Sequence, residues 1–202
     1  MTMANDTKDN ILNAAKQLFA KRGYDGCNVD HIADKAKVNK ATIYYHFKSK
    51  ALLYETVLEL NLRRFLKRLR KKVHEHDSPE RKLEAFVSTY ASNFADDQQM
   101  APLMLRELAS DGTHLTDKTR AVLSEIIAEV DVILEEGRAS GLFIDAKSFI
   151  PYFMIVGSMN IFTSTKKLRK KFQNNDNDFG FAATIDETAQ ELSRIILNGL
   201  KK

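Results

Sequence analysis

The sequence predicts an all-α fold with about nine helices, and three observations support this. Apolar residues recur every three or four positions along nearly all of the 202-residue chain, which is the period of an amphipathic helix. The composition includes only 8 glycines and 3 prolines, which favours long helices over many tight turns. No segment shows the alternation of apolar and polar residues that is typical of a strand.

Three helices are expected within the first fifty residues, which we predict to form one small domain. The first covers residues 7–22 and ends at Gly23. The second begins after Asn28, and the third follows Asn39 and covers residues 40–46. Asparagine favours the start of a helix because its side-chain oxygen accepts a hydrogen bond from an N–H group of the first turn.

Six further helices are predicted in residues 51–202, and the first of them links the two domains. Their expected starts carry residues that commonly cap helices, including a Thr–Glu capping box before the last one. The predicted elements are a fourth helix from Ser49 to about 72–75, a fifth after Ser78 and Pro79, a sixth over about 98–110, a seventh over about 116–141, an eighth from Asp145 to about 171, and a ninth after Thr184 with Glu187. The polar stretch 173–180 is expected to be a mobile loop.

The second and third helices have the lengths and the short break of a helix-turn-helix. In this motif the third helix lies in the DNA major groove, where the edges of the bases can be distinguished. The apolar residues Ile32, Ala36, Val38, Ile43 and Phe47 would fix the angle between the two helices. The side chains left to face DNA are Lys40, Ala41, Thr42, Tyr44, Tyr45 and His46, with Lys50 placed to reach a phosphate.

Two features that suggest DNA contact also have a purely structural explanation. Tyr44 and Tyr45 could be core residues, but neighbours on a helix point about 100° apart, so at least one is expected at the surface. The basic run over 63–72 is read as a solvated helix face, because its far end lies about 33 Å along the helix from Lys50. The charge is nevertheless uneven, since residues 1–76 carry a net charge of +8 and residues 77–202 carry −4.

Residues 7–60 resemble the DNA-binding domain of the TetR family of regulators. The resemblance is strongest where a helix-turn-helix is followed by aromatic residues and then by lysines. The residues that carry it are Phe19, Gly23-Tyr24, Val29, Ile32-Ala33, Val38, the run from Thr42 to Phe47, Lys48-Ser49-Lys50 and Leu52.

The resemblance implies a ligand-responsive regulator, most often a repressor, that binds a pseudo-palindromic operator as a homodimer. It implies that a small molecule releases the protein from double-stranded DNA, and that the last two helices, about 146–171 and 184–200, form the dimer interface. Asn28 matches a position where relatives commonly place a phosphate-contacting threonine. Lys37 departs from the pattern because the family often has glycine at this turn, so the turn is expected to differ slightly.

An effector pocket is expected among the aromatic and methionine-rich helices five to eight, because ligand sites are largely apolar with a few polar groups. For any single residue, packing in the core or at the dimer interface is the more common role. The candidates to line the pocket are Phe86, Tyr90, Met104, Arg106, Tyr152 and Asn160.

The sequence does not favour an enzyme, and no catalytic residue, cofactor or metal site is predicted. The histidines and carboxylates lack convincing ligand spacing, and no phosphate-binding or nucleophile motif occurs. The single cysteine, Cys27, is expected to be a small buried residue, and a cytoplasmic location without membrane insertion is expected. The alternative function is a helical protein that binds a small molecule or a partner and has lost specific DNA recognition.

Overall fold

The structure, a computed structural model, describes residues 2–172 and 182–202, with side chains from Asp6 onward apart from Ala95. Those residues form ten helices, with a single isolated antiparallel bridge between Phe143 and Lys201. The all-α class is therefore confirmed. The helices are α1 (Thr2–Arg22), α2 (Val29–Ala36), α3 (Lys40–Phe47), α4 (Lys50–Val73), α5 (Pro79–Asp96), α6 (Met100–Ala109), α7 (Asp117–Ala139), α8 (Phe149–Ser164), α9 (Lys166–Phe172) and α10 (Ile185–Leu200).

The predicted helix caps at Asn28, Asn39, Ser78 and Thr184 are confirmed. Each side-chain oxygen accepts a hydrogen bond from the backbone N–H three residues later. At the start of α10 the Glu187 carboxylate also accepts from the Thr184 N–H at 2.7 Å, which completes the capping box. These bonds lower the pKa of the Glu187 carboxyl.

The predicted eighth helix is two helices. The Thr165 hydroxyl donates to the Ile161 carbonyl oxygen at 2.6 Å, and the chain is non-helical at Thr165 between α8 and α9. A threonine that bonds back to the preceding turn competes with the helical ladder and bends it. The segment 173–180, predicted as a mobile loop, lies outside the described residues.

Two predicted helix starts are wrong. α1 begins at Thr2 rather than near residue 7. Asp145 does not cap α8, because its carboxylate accepts from Arg138 of α7 at 3.0 Å and the helix begins four residues later, at Phe149.

The described chain divides into two compact units, which we describe separately. The N-terminal unit comprises residues up to Arg63 together with Pro102–Val122, and the C-terminal unit comprises Arg64–Ala101 and the residues from Leu123 onward. Residues 51–63 and 102–122 therefore group with the helix-turn-helix, whereas the predicted border lay at residue 50. None of the described helices is long and apolar enough to cross a membrane.

The core of the N-terminal unit joins its first helices to α4 through aromatic packing. Phe19 and Tyr54 are buried, and their rings meet edge to face with centroids 4.8 Å apart. Leu52 at the start of α4 is 43% exposed, whereas Leu53 beside it is fully buried. This packing anchors the start of α4 against α1.

The C-terminal unit packs α5 against α8 and α10. Phe86 on α5 and Ile155 and Met159 on α8 have no exposed surface. On α10 the buried residues recur at helical spacing. They are Ala189, Leu192, Ser193, Ile196, Leu197 and Leu200.

Candidate functional site

The helix-turn-helix is built as the sequence predicted. Ile32 and Ala36 on α2 and Ile43 and Phe47 on α3 are buried, which fixes how the two helices pack. Asn39 holds the first turn of α3, since its Oδ1 accepts from the Thr42 N–H and from the Thr42 hydroxyl, both at 2.7 Å. The position of α3 is therefore set by its buried face and by its cap.

The turn between the two helices passes through Lys37 in the left-handed conformation, with φ 54° and ψ 42°. The expected deviation from a glycine-type turn does not occur. The Lys37 N–H donates to Asp34 O at 3.2 Å and the Val38 N–H donates to Ala33 O at 3.0 Å, which closes the end of α2. The lysine therefore adopts a conformation that favours glycine, at a cost of about 1–2 kcal/mol.

The outer face of α3 presents two tyrosines. Tyr45 is 75% exposed and Tyr44 is 41% exposed, so both lie at the surface. The half-buried His46 ring meets the Tyr45 ring edge to face at 5.2 Å. Large exposed aromatic side chains on a helix of eight residues have little to pack against within the subunit, which makes them available to a partner.

Of the remaining predicted DNA contacts, Ala41 has an exposed side chain without a polar group, whereas Thr42, Lys40 and Asn28 use their polar side-chain atoms within the protein. Ala41 is exposed and small, whereas the half-buried Thr42 uses its hydroxyl for the cap described above. Lys40 is exposed, and its Nζ lies 2.9 Å from Asp30 Oδ2, which raises the pKa of the lysine. Asn28 is exposed, but its side chain accepts the His31 N–H at 2.8 Å.

Lys50 is bound within the protein instead of projecting freely toward DNA. Its Nζ donates to the carbonyl oxygens of Tyr24 at 2.9 Å and Cys27 at 3.0 Å, and it lies 4.0 Å from the centre of the Tyr24 ring. These contacts tie the first turn of α4 to the loop after α1. Sequence spacing could not reveal them, because the partners are 23 and 26 residues away.

The cation that the sequence analysis did not assign to the site is Lys48. It is exposed at the end of α3 with φ 64°, and its Nζ lies 5.9 Å from the centre of the Tyr45 ring. The sequence did offer a signal for this residue, because Lys48 and Lys50 both belong to the Lys48-Ser49-Lys50 motif. Lys48 therefore extends the exposed face of α3 with a positive charge.

Cys27 is fully buried, as predicted. Burial raises the pKa of its thiol, and the nearby cations Lys50 and Arg22 oppose the shift. A higher pKa leaves less reactive thiolate. The environment supports packing as the role of this residue.

The six effector candidates do not form one cluster within a single unit. Met104 and Arg106 belong to the N-terminal unit, and the other four belong to the C-terminal unit. Arg106 donates to Ala20 O at 3.4 Å and to Lys21 O at 3.1 Å, so it binds the C-terminal turn of α1. This contact favours a structural role, because a cation satisfies the free carbonyl groups at a helix end.

In the C-terminal unit, Tyr90 and Asn160 are joined by a hydrogen bond. Asn160 Nδ2 donates to Tyr90 Oη at 3.1 Å and to Val156 O at 2.7 Å. Tyr90 also packs edge to face with Phe65 and Phe94, with centroids 5.2 Å away in both cases. Phe86, by contrast, is fully buried core.

Tyrosine ionisation is suppressed in this region. Burial raises the pKa of the Tyr152 hydroxyl to about 12. The pKa of Tyr90 is raised further, chiefly by burial and then by Tyr152, and the hydrogen bond from Asn160 acts in the opposite direction. Both hydroxyls are therefore neutral at physiological pH and able to donate a hydrogen bond.

An apolar surface lies on α8 and α10 of the C-terminal unit. Phe153 and Ile161 are 55% and 57% exposed on α8, and Ile195 is 49% exposed on α10. A Cβ added at Gly157, between the first two, would meet no atom of the described part of the chain within 4 Å. An exposed apolar patch of this kind marks a surface for interaction with another molecule.

Comparison with known proteins identifies the family. Residues 11–57 match the family "Bacterial regulatory proteins, tetR family", and residues 58–171 match "YsiA-like protein, C-terminal region". The chain is 30% identical over 169 residues to the HTH-type transcriptional repressor NicS of Pseudomonas putida, covering 81% of this chain and 78% of that protein. It is also 30% identical over 131 residues to the fatty acid metabolism regulator protein of Bacillus subtilis, covering 65% and 68%.

Solved structures show the same fold. The fatty acid degradation regulator FadR from Bacillus halodurans has a TM-score of 0.76 at 25% identity, covering 96% of this chain and 95% of that chain. The FadR structure from Bacillus subtilis, in complex with stearoyl-CoA, has a TM-score of 0.75 at 24% identity, covering 95% and 98%. The helix-turn-helix, the helical C-terminal unit and these similarities agree, and the chain belongs to the TetR family of DNA-binding transcriptional regulators.

Proposed function

We propose that this regulator represses transcription by placing α3 of each of two subunits in successive major grooves of a pseudo-palindromic operator. The observation that carries the proposal is the exposed pair Tyr44 and Tyr45 on a helix held by its buried face and its cap. Lys40 and Lys48 lie on the same helix or directly after it and supply positive charge for phosphates. Two recognition helices fit successive grooves when they are about 34–36 Å apart.

We propose that the two subunits form a homodimer through α8 and α10. The exposed residues Phe153 and Ile161 of α8 and Ile195 of α10 offer apolar side chains that a second copy would bury. A two-fold interface brings the same patch of both subunits together, which suits a continuous apolar surface. Two-fold symmetry of the protein would then match the symmetry of the operator.

The effector is proposed to be a small molecule with an apolar body that binds in the C-terminal unit. Phe65, Phe94 and Tyr152 surround the Tyr90–Asn160 pair with apolar and aromatic surface. The Bacillus subtilis FadR structure contains stearoyl-CoA, which makes a long-chain acyl-CoA, a ligand whose CoA arm carries amide groups, the first compound to test. A ligand releases the protein from DNA only if it prefers a conformation with a different spacing of the α3 helices.

The test is fluorescence anisotropy of the full chain on DNA from upstream of its own gene, compared with scrambled DNA of equal length. The proposal predicts selective binding that weakens steeply with added salt, and weaker binding in the presence of stearoyl-CoA. Equal affinity for both DNAs would contradict it. That result would favour the alternative of a helical binding protein without specific DNA recognition.

A further inference from the structure

The amide of Asn160 has an oxygen that no described residue satisfies. Asn160 has no exposed surface, and both protons of its Nδ2 are used, one by Val156 O and one by Tyr90 Oη. The orientation of the amide is fixed, because turning it over would face its oxygen toward the Val156 carbonyl oxygen. Asn160 Oδ1 is left buried without a hydrogen-bond partner.

A second unsatisfied group lies one turn further along the same helix. Thr163 Oγ1 is buried and has no partner among the described residues, although threonine hydroxyls in helices commonly bond to the preceding turn. Residues three apart lie on the same side of a helix, about 5–6 Å from each other. Asn160 and Thr163 therefore present a free acceptor and a free hydroxyl along one side of α8.

Tyr90 completes the set from α5. Its hydroxyl oxygen accepts from Asn160, and none of the described residues accepts its proton. Tyr90 is half-buried although its ring packs on Phe65 and Phe94, which are only 5% and 3% exposed. Part of the tyrosine therefore stays uncovered by these neighbours.

Every described polar contact of this cluster is with a neutral group. Asn160 bonds to a carbonyl and a hydroxyl, and Tyr90 bonds to the amide. The cation of Arg169 is held at Phe162, where it donates to the carbonyl oxygen at 3.2 Å and lies 3.5 Å from the centre of the ring. A carboxylate placed at Asn160 and Tyr90 would therefore lose its water without gaining an ion pair among their contacts. Buried polar groups without partners in a folded protein are rare and call for a ligand or an ordered water.

We propose that Asn160, Thr163 and Tyr90 bind the polar group of the effector, and that this group is uncharged and both donates and accepts hydrogen bonds, as an amide or a hydroxyl does. The ligand N–H or O–H donates to Asn160 Oδ1, and the ligand oxygen accepts from the hydroxyls of Tyr90 and Thr163. This inference rests on the proposed function, since it names the chemistry of the effector that acts on this regulator.

The experiment compares four probes with the same ten-carbon chain on the full-length protein by isothermal titration calorimetry: decanamide, 1-decanol, methyl decanoate and decanoate. The amide and the alcohol are expected to bind about tenfold more tightly than the ester, and the carboxylate is expected to bind weakest. A preference for the carboxylate, equal binding of all four probes, or no binding of any would overturn the proposal.

The variant that decides the assignment is Thr163→Val, because the hydroxyl it removes has no hydrogen-bond partner among the described residues. It should reduce the preference for decanamide over methyl decanoate severalfold, and Asn160→Leu should abolish it. Ser158→Ala, at an exposed position of the same helix, is the matched control and should keep the preference. If Thr163→Val and Asn160→Leu both keep it, an ordered water fills this place and the proposal is overturned.

DNA binding without probe separates this inference from the proposed function. A protein that binds its upstream DNA selectively but does not discriminate among the probes contradicts only the inference. A protein that discriminates among the probes but binds no DNA selectively contradicts only the repressor proposal.

Discussion

The buried carboxylate of Glu107 on α6 accepts a hydrogen bond from the Tyr54 hydroxyl on α4, within the N-terminal unit. Glu107 is only 2% exposed, and its other described partners are the ring and the N–H of His114, at 3.2 and 3.3 Å. A buried carboxylate is costly unless it is hydrogen-bonded. The pair therefore holds the end of α6 to the helix that follows the DNA-binding motif.

Removing the tyrosine hydroxyl should destabilise this unit. Tyr54→Phe deprives Glu107 of a donor and should lower the free energy of unfolding by about 1–3 kcal/mol, measured by urea denaturation. Tyr24→Phe is the matched control, because its ring has contacts but its hydroxyl has no hydrogen bond to any residue that the structure describes. Equal losses in the two variants would contradict the role given to the Tyr54–Glu107 bond.

The left-handed turn residue predicts a stabilising substitution. Lys37→Gly relieves the strain at φ 54° and should raise the free energy of unfolding by about 0.5–1 kcal/mol, after allowance for the greater freedom of glycine in the unfolded chain. Lys35→Gly, inside α2, should lower stability by about 1 kcal/mol instead. A loss in both variants would argue against strain at Lys37.

Substitutions of Lys40, the first residue of α3, and Lys50, the first residue of α4, should separate effects on folding from effects on DNA binding. Lys50→Met removes the two hydrogen bonds to the loop after α1 and should lower the unfolding midpoint in thermal denaturation. Lys40→Met removes only an exposed ion pair, so it should keep that midpoint but weaken DNA binding and reduce its salt dependence. If Lys50→Met instead weakened DNA binding and kept the unfolding midpoint, Lys50 would contact a phosphate.

Stability should fall in alkaline solution because the pKa of Tyr90 is raised in the folded state. The pKa of Tyr90 is raised above its usual value of 10.0, so the folded state holds this proton more tightly than the unfolded chain. The stabilising contribution is fully present below pH 10 and is lost as the pH rises above it. Urea midpoints between about pH 9 and pH 11 should fall less steeply for Tyr90→Phe than for the wild type. Identical slopes would show that Tyr90 does not contribute.

Gly157 offers a test of the dimer interface that leaves the subunit intact. Gly157→Glu places a charge between Phe153 and Ile161, where an added Cβ meets no atom of the described residues within 4 Å. Burial of that charge between two copies should raise the dimer dissociation constant at least about a hundredfold, measured by analytical ultracentrifugation. Gly157→Ala should remain dimeric, and a dimer of unchanged strength with glutamate would place the interface elsewhere.

Sequence reasoning succeeded where the determining contacts are local. The caps at Asn28 and Asn39 and the capping box of Thr184 depend on residues three positions apart, so the pattern predicts them directly. That at least one of the α3 tyrosines lies at the surface followed equally from the angle between neighbours on a helix.

It was less successful where the partner is distant in the chain. Lys50 binds carbonyl groups 23 and 26 residues away, and Arg106 binds the end of α1 some 85 residues away. Spacing and residue type do not show which acceptor a cation will find. The comparisons establish the family, whereas the individual DNA and effector contacts stay predictions.

The most direct test of the account is the effect of Tyr45 on selective DNA binding. Anisotropy titrations of wild-type protein, Tyr45→Ala and the control Lys167→Ala should be run on upstream and scrambled DNA at one salt concentration. The account predicts that Tyr45→Ala lowers affinity for upstream DNA about tenfold or more and reduces the discrimination between the two DNAs, while Lys167→Ala changes neither. Unchanged discrimination in a folded Tyr45→Ala dimer would contradict it.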